Sequence, residues 1–294
     1  MRGRLVAIAL EALLRCLGWL SFGTTQRLGR VVGDVAYLRN GTLRRVSRTN
    51  LAACFPELSE AAREDFVRES LRHTGRYAAE LGIAWRRADR RWKSLIAAVD
   101  GVAAIDDAQR LGRGVLILVP HFGNWEVLNL FLGARYGLTA LYEPARIRGL
   151  DSIVRDGRMR TGSRLVPTTS IRVLYAALRA GGVAAVLPDQ VPPVAAGAYA
   201  PFFGRPALTM TLVHRLTERL APRLIMGHAR RLPDAAGFSL GFEVLSDLEN
   251  LSDREVALTK MNIAIERLVR TDPAQYQWEY KRFKRPRSLA EKLY

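Results

Sequence analysis

The sequence predicts an α/β fold in which a mixed β-sheet is flanked by helices and preceded by an N-terminal membrane-associated helical segment. From residue 96 onwards, short apolar runs alternate with stretches of helical periodicity. This alternation is typical of α/β domains whose sheet is at least partly parallel. The clearest run, 114–119, is rich in branched side chains and ends before Pro120, which indicates a buried strand. The length of 294 residues suits a helical region 1–37 followed by one domain, 38–294.

The individual elements follow from periodicity and from turn-forming residues. Helices are predicted at 5–37, 42–54 and 59–95, the last with a break near 73–75, and then at 102–111, 124–134, 148–161, 171–180, 207–219 and 253–270. Strands are predicted at 96–99, 114–119, 138–142, 165–167, 183–187, 223–228 and 237–245. The segment 191–200, rich in Pro, Gly and Ala, is predicted to be a loop near the site.

The N-terminal stretch Leu5–Phe22 is apolar enough to contact a membrane. Glu11 and Arg15 are four residues apart and would form one polar stripe on a helix. No small-residue cleavage site follows, so a removed signal peptide is not expected. A membrane span would be short and would carry both charges near its middle. We therefore expect a helix bound at the membrane interface, with a buried helix of a globular domain as the alternative.

The chain is strongly basic. Lysine and arginine number 45 against 28 aspartates and glutamates, an excess of 17 positive charges. Such a field attracts nucleic acid, anionic lipid or an acidic carrier protein. Nucleic acid is disfavoured as a partner, because no helix-turn-helix, zinc-finger or RNP-type pattern accompanies the arginines. Phosphorylated lipid and an acidic carrier protein, both anionic, remain as expected partners.

Cysteine and histidine usage argues against a metal site. Cys16 and Cys54 are the only cysteines, too few for a disulfide framework or a cysteine-based metal site. The four histidines show no metal-ligand spacing. We expect neither a metal nor another cofactor.

The hexapeptide His121–Glu126 (HFGNWE) follows the buried strand directly. A histidine beyond the carboxyl end of such a strand lies where open α/β sheets bind ligands. If His121 is in the loop and Glu126 in the first turns of the next helix, the carboxylate can reach the imidazole. A carboxylate on one ring nitrogen raises the basicity of the other, as a general base requires. The alternative is a structural histidine, with Glu126 only complementing the helix dipole.

HFGNWE resembles the His-x4-acid motif of the lysophospholipid acyltransferase superfamily, in the form found in its lipid A late-acyltransferase branch. Further blocks resemble that branch in order and at fitting intervals: 50–57 (NLAACFPE), 187–190 (LPDQ), 201–204 (PFFG) and 275–284 (QYQWEYKRFK). The resemblance covers nearly the whole chain. It implies a glycerol-phosphate-acyltransferase-like fold and transfer of a fatty acyl group from a thioester to a membrane glycolipid. Acyl carrier protein is the expected donor, and the cytoplasmic face of the inner membrane the expected location.

The segment Arg155–Arg160 is a second candidate for the site. Arg155 and Arg158 would project from one helix face and could hold a phosphate or an oxyanion, although a solvated basic face is the alternative. The resemblance favours Arg158 as the catalytic-region arginine, with Arg160 as a rival. One departure lies upstream, where Glu143 stands at a position at which the branch more often has arginine. Because of this departure, the resemblance alone does not identify the acceptor lipid.

The predicted reaction is direct acyl transfer. His121 would deprotonate the acceptor hydroxyl, Glu126 would hold His121, and Arg158 would stabilise the oxyanion. Substrate-binding roles are expected for Arg155, Arg160, Asn124, Asp189 and Gln190. An acyl-enzyme is disfavoured, because the chain has no G-x-S-x-G motif.

Two alternatives stay open at this point. One is an enzyme of the same superfamily acting on a lysophospholipid or a glycosylated phosphoinositide. The other is a non-catalytic basic protein that docks on anionic membranes.

Overall fold

The computed structural model describes residues 2–86, 90–145, 149–249 and 251–294. The helices of these parts are α1 (Arg2–Trp19), α2 (Phe22–Leu38), α3 (Thr42–Cys54), α4 (Glu60–Arg86), α5 (Ala103–Arg110), α6 (Trp125–Tyr136), α7 (Leu150–Met159), α8 (Arg172–Arg179), α9 (Leu212–Leu220) and α10 (Arg254–Thr271). The strands are β1 (Ile96–Asp100), β2 (Val115–Leu118), β3 (Thr139–Tyr142), β4 (Arg164–Pro167), β5 (Val183–Val186), β6 (Gly197–Phe202), β7 (Arg205–Met210), β8 (Arg223–Arg231) and β9 (Phe238–Val244).

Seven strands form one mixed sheet in the order β1-β9-β8-β2-β5-β3-β4. All neighbouring pairs are parallel except β8 and β9, which are antiparallel. The predicted α/β architecture is therefore confirmed. Alternate residues of β2 enter different cores, with Leu116 and Leu118 in one and Val115 and Ile117 in the other. Because both faces of the sheet are covered, this strand is apolar throughout.

The N-terminal region packs along α4. On α1, Leu14 and Leu17 are buried, and Leu14 joins a small core with Trp85. The predicted helix 5–37 is divided in two near Ser21, whose side chain accepts a hydrogen bond from the backbone N–H of Thr24 and caps α2. The opposite side of α1 and α2 exposes large apolar side chains: Leu5, Val6, Ile8, Leu13, Trp19, Leu28, Val31, Val32, Val35 and Leu38. None of the described helices combines the length and the apolar character needed to cross a bilayer.

The predicted break near 73–75 is wrong, since α4 runs through this segment without interruption. Gly75 lies at a close crossing with α2, where an added Cβ would come within 2.2 Å of the Gly29 carbonyl oxygen. The glycine therefore serves helix packing rather than a turn. The helix predicted at 59–95 is longer than α4, since Arg90–Leu95 form a 3-10 helix. Residues 87–89, and residue 148 at which the later helix was predicted to begin, lie outside the described residues.

The predictions for 191–200 and 207–219 were partly wrong. A two-stranded hairpin, β6–β7, occupies much of this region, and α9 begins only at Leu212. Phe203 and Gly204 form the two-residue turn, both with positive φ, and such turns match the twist of antiparallel strands. The prolines at 201 and 206 obscured the strand pattern. The other predicted strands and helices agree with the described ones to within a few residues.

Candidate active site

His121 and Asp189 meet at the carboxyl edge of the sheet. β2 and β5 are neighbouring parallel strands in which Leu118 pairs with Val186, and each polar residue lies three positions beyond its strand. The Nδ1 of His121 lies 2.8 Å from Oδ1 of Asp189, and the His121 backbone N–H donates to Oδ2, also at 2.8 Å. Since an ionised carboxylate only accepts hydrogen bonds, this arrangement puts the imidazole proton on Nδ1 and leaves Nε2 basic.

Asp189 is ionised in this setting. Its side chain is buried, and burial raises the pKa of its carboxyl. The positive charge that His121 carries when it is protonated, together with its ring and backbone N–H donors, outweighs burial and holds the pKa of Asp189 below its ordinary value. The hydroxyl of Tyr276 also bonds to Asp189, and burial together with the aspartate's charge raises the pKa of Tyr276 well above its ordinary value. Tyr276 therefore remains a neutral donor to the carboxylate.

Glu126 has different partners from those predicted. Arg158 Nη2 donates to its Oε1 at 2.6 Å, and Arg158 Nε lies 3.0 and 3.1 Å from its two oxygens. Trp85 Nε1 donates to Oε2 at 2.9 Å, and the Tyr77 hydroxyl lies 3.4 Å from Oε1. The predicted hydrogen bond between Glu126 and His121 is thus replaced by an Asp189–His121 bond. From the first turn of α6, the Glu126 side chain is directed towards α4 and α7 instead.

The Glu126–Arg158 pair is largely withdrawn from water. Glu126 is 1% exposed and the Arg158 side chain 25%. Burial lowers the pKa of Arg158, but the charge and hydrogen bonds of Glu126 outweigh burial and raise that pKa above its ordinary value. The Arg158 guanidinium is therefore charged. Arg158 binds Glu126 through Nε and Nη2, so Nη1 stays outside the ion pair.

The middle of HFGNWE fixes the loop that carries His121. Gly123 has a φ of +63°, and an added Cβ would come within 1.9 Å of the Ala229 carbonyl oxygen. Asn124 is fully buried and caps α6, because its Oδ1 accepts from the backbone N–H groups of Glu126 and Val127 at 3.0 and 3.1 Å. Its Nδ2 donates to Glu80 at 2.7 Å. With its amide groups engaged in this way, Asn124 positions the loop, and its substrate-binding role stays a prediction.

Trp125 and Gln190 border the His121 imidazole. The Trp125 ring packs edge-on to it, with ring centroids 4.7 Å apart, and stacks on Tyr77 at 4.1 Å. The Gln190 amide nitrogen lies 3.1 Å from Nε2 of His121. Gln190 therefore occupies the place from which an acceptor hydroxyl would reach the basic nitrogen.

An apolar cavity of about 50 Å³ begins at the Glu126–Arg158 pair. Its walls come from α6 and from strands β3, β4 and β5 and their flanks, and include Leu128, Leu132, Leu138, Ala140, Leu165, Ala185 and Leu187. Among the described residues that line the cavity, only this pair is charged. Such a lining suits a hydrocarbon chain.

Comparison with known proteins shows which family the chain belongs to. Residues 4–285 match the family described as bacterial lipid A biosynthesis acyltransferase. The chain belongs to this family. It is 29% identical to the lipid A biosynthesis lauroyltransferase of Escherichia coli K12, over 90% of this chain and 87% of that protein. It is also 28% identical to the palmitoleoyltransferase of the same organism (81% of this chain, 78% of that one) and 27% identical to the myristoyltransferase (88% and 79%).

The protein is thus an acyltransferase, and the structure separates its predicted site residues into groups. His121, Asp189 and Gln190 lie together, and Glu126 and Arg158 form the neighbouring ion pair. Arg155 lies on the exposed side of α7, and Arg160 donates to the Ala84 carbonyl at 3.2 Å. Substrate-binding roles for these two arginines stay predictions. No cluster of three His, Cys, Asp or Glu side chains in the described parts of the chain is arranged to hold a metal ion.

Sequence analysis missed two contributors to this acyltransferase site. Tyr77 and Trp85 of α4 bind Glu126, although nothing in the helical pattern of 59–95 distinguishes them. The C-terminal segment lies against the loop that carries His121: Tyr276 pairs with Phe122, and the Gln277 backbone N–H donates to the His121 carbonyl at 3.0 Å. The resemblance of 275–284 to the family was the available signal, but it gave the segment no role.

Proposed function

We propose that this acyltransferase moves a fatty acyl chain from the thioester of acyl carrier protein to a hydroxyl group of a lipid A precursor, at the cytoplasmic face of the inner membrane. The observation that carries the proposal is the His121–Asp189 pair, in which a buried carboxylate holds one ring nitrogen and leaves the other basic. This is the arrangement required of a general base that acts on a hydroxyl.

The proposed reaction is a direct transfer. Nε2 of His121 takes the proton from the acceptor hydroxyl while the oxygen attacks the thioester carbonyl. The resulting tetrahedral oxyanion collapses, the carbon–sulfur bond breaks, and the imidazolium returns its proton to the sulfur as a free thiol. Asp189 stabilises the imidazolium while it exists, as the acid does in other His–carboxylate pairs.

Two groups are candidates for stabilising the oxyanion. Arg158 keeps Nη1 outside its pair with Glu126, and Glu126 fixes the orientation of the guanidinium. The Gln190 amide lies next to Nε2 of His121 and can donate to an oxygen that displaces it from that nitrogen. A preorganised donor of this kind contributes roughly 10²- to 10³-fold in rate.

The apolar cavity next to Glu126 supports binding of the acyl chain. Its volume of about 50 Å³ is smaller than a long acyl chain, so the chain would enter by widening the space between α6 and the sheet. The names of the relatives include lauroyl, palmitoleoyl and myristoyl transferases. We therefore expect a donor chain in this size class.

Charge and the exposed apolar side of α1 and α2 support the proposed partners. The excess of 17 positive charges attracts both the anionic carrier protein and anionic lipid. Exposed Leu5, Ile8 and Trp19 provide apolar surface that can enter the bilayer interface. The acceptor lipid would then reach His121 without leaving the membrane.

The direct test is a reconstituted transfer assay. Purified protein is mixed with lauroyl-, myristoyl- or palmitoleoyl-carrier protein and a detergent-solubilised lipid A precursor, and products are identified by mass spectrometry. The proposal predicts the mass gain of one acyl group with wild-type protein and its loss with His121→Ala. Transfer to a lysophospholipid or a glycosylated phosphoinositide, with none to the lipid A precursor, would contradict the proposed acceptor.

A further inference from the structure

A second cavity, of about 820 Å³, lies between α2, α4 and the turn that joins β8 to β9. Arg231, the last residue of β8, lines it. Because β8 and β2 are parallel neighbours, this end of β8 is at the same sheet edge as His121. Gln275 also lines the cavity, and its carbonyl accepts from the Gly123 N–H at 3.0 Å. The cavity therefore adjoins the loop that carries His121.

The Arg231 guanidinium in the cavity wall is fully engaged. Its Nε and Nη2 donate to the two oxygens of Glu80, both at 2.6 Å, and its Nη1 donates to Nδ1 of His73 at 2.8 Å. The same Glu80 carboxylate accepts from Asn124, which caps α6. Arg231 thus belongs to a buried network behind the His121 loop and has no nitrogen left for a ligand.

The free positive charge in the cavity comes from three other arginines. Arg27 and Arg30 of α2 are exposed, line the cavity, and have no hydrogen bond or ion pair with any residue that the structure describes. Arg76 of α4 uses Nη1 for Glu69 at 3.0 Å and lies 3.3 Å from Nε2 of His73. Its Nε and Nη2 take no part in these contacts. Several guanidinium nitrogens are therefore free to bind an anion.

The carboxylates that line the cavity do not cancel this charge. Glu69 is bound by Arg72 as well as by Arg76, at 3.0 Å each. Asp272 accepts from the Gln275 side chain at 2.6 Å. Asp234 is exposed in the β8–β9 turn. The groups without a partner are mainly cationic, so the cavity suits an anionic ligand rather than a cation.

The arginines of α2 border its exposed apolar side. With 3.6 residues in each helical turn, Val31 and Val35 lie about 40° and 80° around the axis from Arg27. Both valines are exposed. A ligand that placed an anionic group beside Arg27 and Arg30 could therefore lay an apolar tail against the neighbouring surface of the same helix. This combination of groups is that of a phosphorylated lipid.

We propose that Arg27, Arg30 and Arg76 bind the phosphate group of a membrane lipid in this cavity. Guanidinium groups bind phosphate oxygens through paired N–H donors, which makes arginine well suited to this ligand. The inference rests on the proposed location at the membrane, and it adds a lipid-binding site separate from His121. The lipid is either the acyl acceptor or an anionic phospholipid of the surrounding bilayer, and the two sources share the recognised group.

The test measures binding of monododecyl phosphate to the full-length protein in neutral-detergent micelles by calorimetry. Arg27→Gln together with Arg30→Gln should weaken binding at least about tenfold, the scale of one hydrogen bond to a charged group. The matched control is Arg172→Gln with Arg179→Gln, which removes two exposed arginines of α8 and hence the same charge. It should bind as wild type does. Dodecyl glucoside, with the same tail and no charge, should not compete.

Gly23→Phe provides a second variant that removes no charge. Gly23 lines the cavity, and an added Cβ would meet no atom within 4 Å, so a large side chain has room to enter. It should weaken dodecyl phosphate binding several-fold by occupying the space. Unchanged binding by Gly23→Phe, no binding by wild type, or equal losses in the two arginine double variants overturns the site.

Two further measurements identify the source of the phosphate. Inorganic phosphate that binds as tightly as dodecyl phosphate overturns the assignment to a lipid. A higher KM for the lipid A precursor in the Arg27→Gln, Arg30→Gln protein supports the acceptor as the ligand. An unchanged KM with weaker binding to phosphatidylglycerol vesicles supports a phospholipid of the bilayer. Binding is measured without a donor, so failure of wild-type protein to acylate the precursor contradicts the proposed function and leaves this test intact.

Discussion

His121 and Asp189 are 68 residues apart in the chain, yet their side chains are joined by a 2.8 Å hydrogen bond because β2 and β5 are adjacent and parallel. Leu118 and Val186 are partners in the sheet, and the two polar residues follow at equal intervals. The sheet therefore determines which carboxylate orients the His121 imidazole. Glu126 is much nearer to His121 in sequence, but it begins a helix that directs it to Arg158.

A double-mutant cycle tests whether Glu126 is paired with Arg158, as observed, or with His121. Glu126→Ala should lower the free energy of unfolding by about 3 kcal/mol, the lower end for a broken buried ion pair, because part of Arg158 is exposed. Arg158→Ala should add little in the Glu126→Ala background, whereas His121→Ala should add independently. Urea unfolding of the single and double variants measures both couplings. Strong coupling of Glu126 to His121 and none to Arg158 would contradict the observed pairing.

Arg158→Lys tests whether the guanidinium shape matters. Lysine keeps the charge but cannot bind Glu126 through two nitrogens while presenting a third. We expect turnover to fall by about 10²-fold with little change in carrier-protein binding. Arg160→Lys is the matched control, because Arg160 donates to the Ala84 carbonyl. Equal rates for wild type and Arg158→Lys would show that only the positive charge at this position matters, and would contradict a role for the guanidinium shape in turnover.

Membrane binding should depend on the exposed side of α1. Ile8→Asp together with Trp19→Asp should weaken binding to anionic vesicles by at least about tenfold, because each change removes apolar surface that enters the interface. Leu111→Asp, at an equally exposed apolar position after α5, should have no effect. Vesicle co-sedimentation at low and high salt measures the difference. Unchanged vesicle binding by the α1 variant would show that this surface does not contribute to membrane association.

Deleting residues 1–22 is a less specific experiment. The inner side of α1 buries Leu14 and Leu17, and Glu11 pairs with Arg86 of α4 at 2.7 Å. The deletion should therefore destabilise the α/β core as well as weaken membrane binding. The structure thus shows α1 packed on the globular domain, as in the alternative interpretation, and binding of its exposed side to the membrane interface stays a prediction.

Stability should decrease below neutral pH because of His73. Burial lowers the pKa of His73 to about 2, and the charges of Arg231 and Arg76 act in the same direction. In the unfolded chain its pKa returns to about 6.5, so between these values the unfolded state binds the additional proton. This stabilisation is complete above pH 6.5 and is lost as pH falls, by about 1.4 kcal/mol per unit. His73→Gln should flatten the dependence of unfolding free energy on pH between 6.5 and 5. An unchanged slope would contradict a neutral buried His73.

The sequence predicted the α/β class and most elements, because the apolar runs of β2, β5 and their neighbours can be recognised from residues that are close together in the chain. It also placed Asp189 after a strand in the same way as His121. It could not give the strand order, which depends on long-range pairing, and so could not show that β2 and β5 are adjacent. The hairpin β6–β7 was missed because its prolines and the Phe203–Gly204 turn resemble a loop.

The most direct test of the account is the single-turnover rate of Asp189→Asn with acyl-carrier protein and a lipid A precursor. Asparagine keeps the size of the side chain but removes the charge that stabilises the imidazolium. Its amide group can also donate to Nδ1 of His121, which would place the ring proton on Nε2, where it prevents that nitrogen from acting as a base. We predict a loss of 10²- to 10⁴-fold, roughly the range for a disabled general base, with no further loss in the double variant with His121→Ala. Asp106→Asn, a carboxylate paired with Arg135 on α6, should be active. A near-normal rate for Asp189→Asn would contradict the His121–Asp189 base.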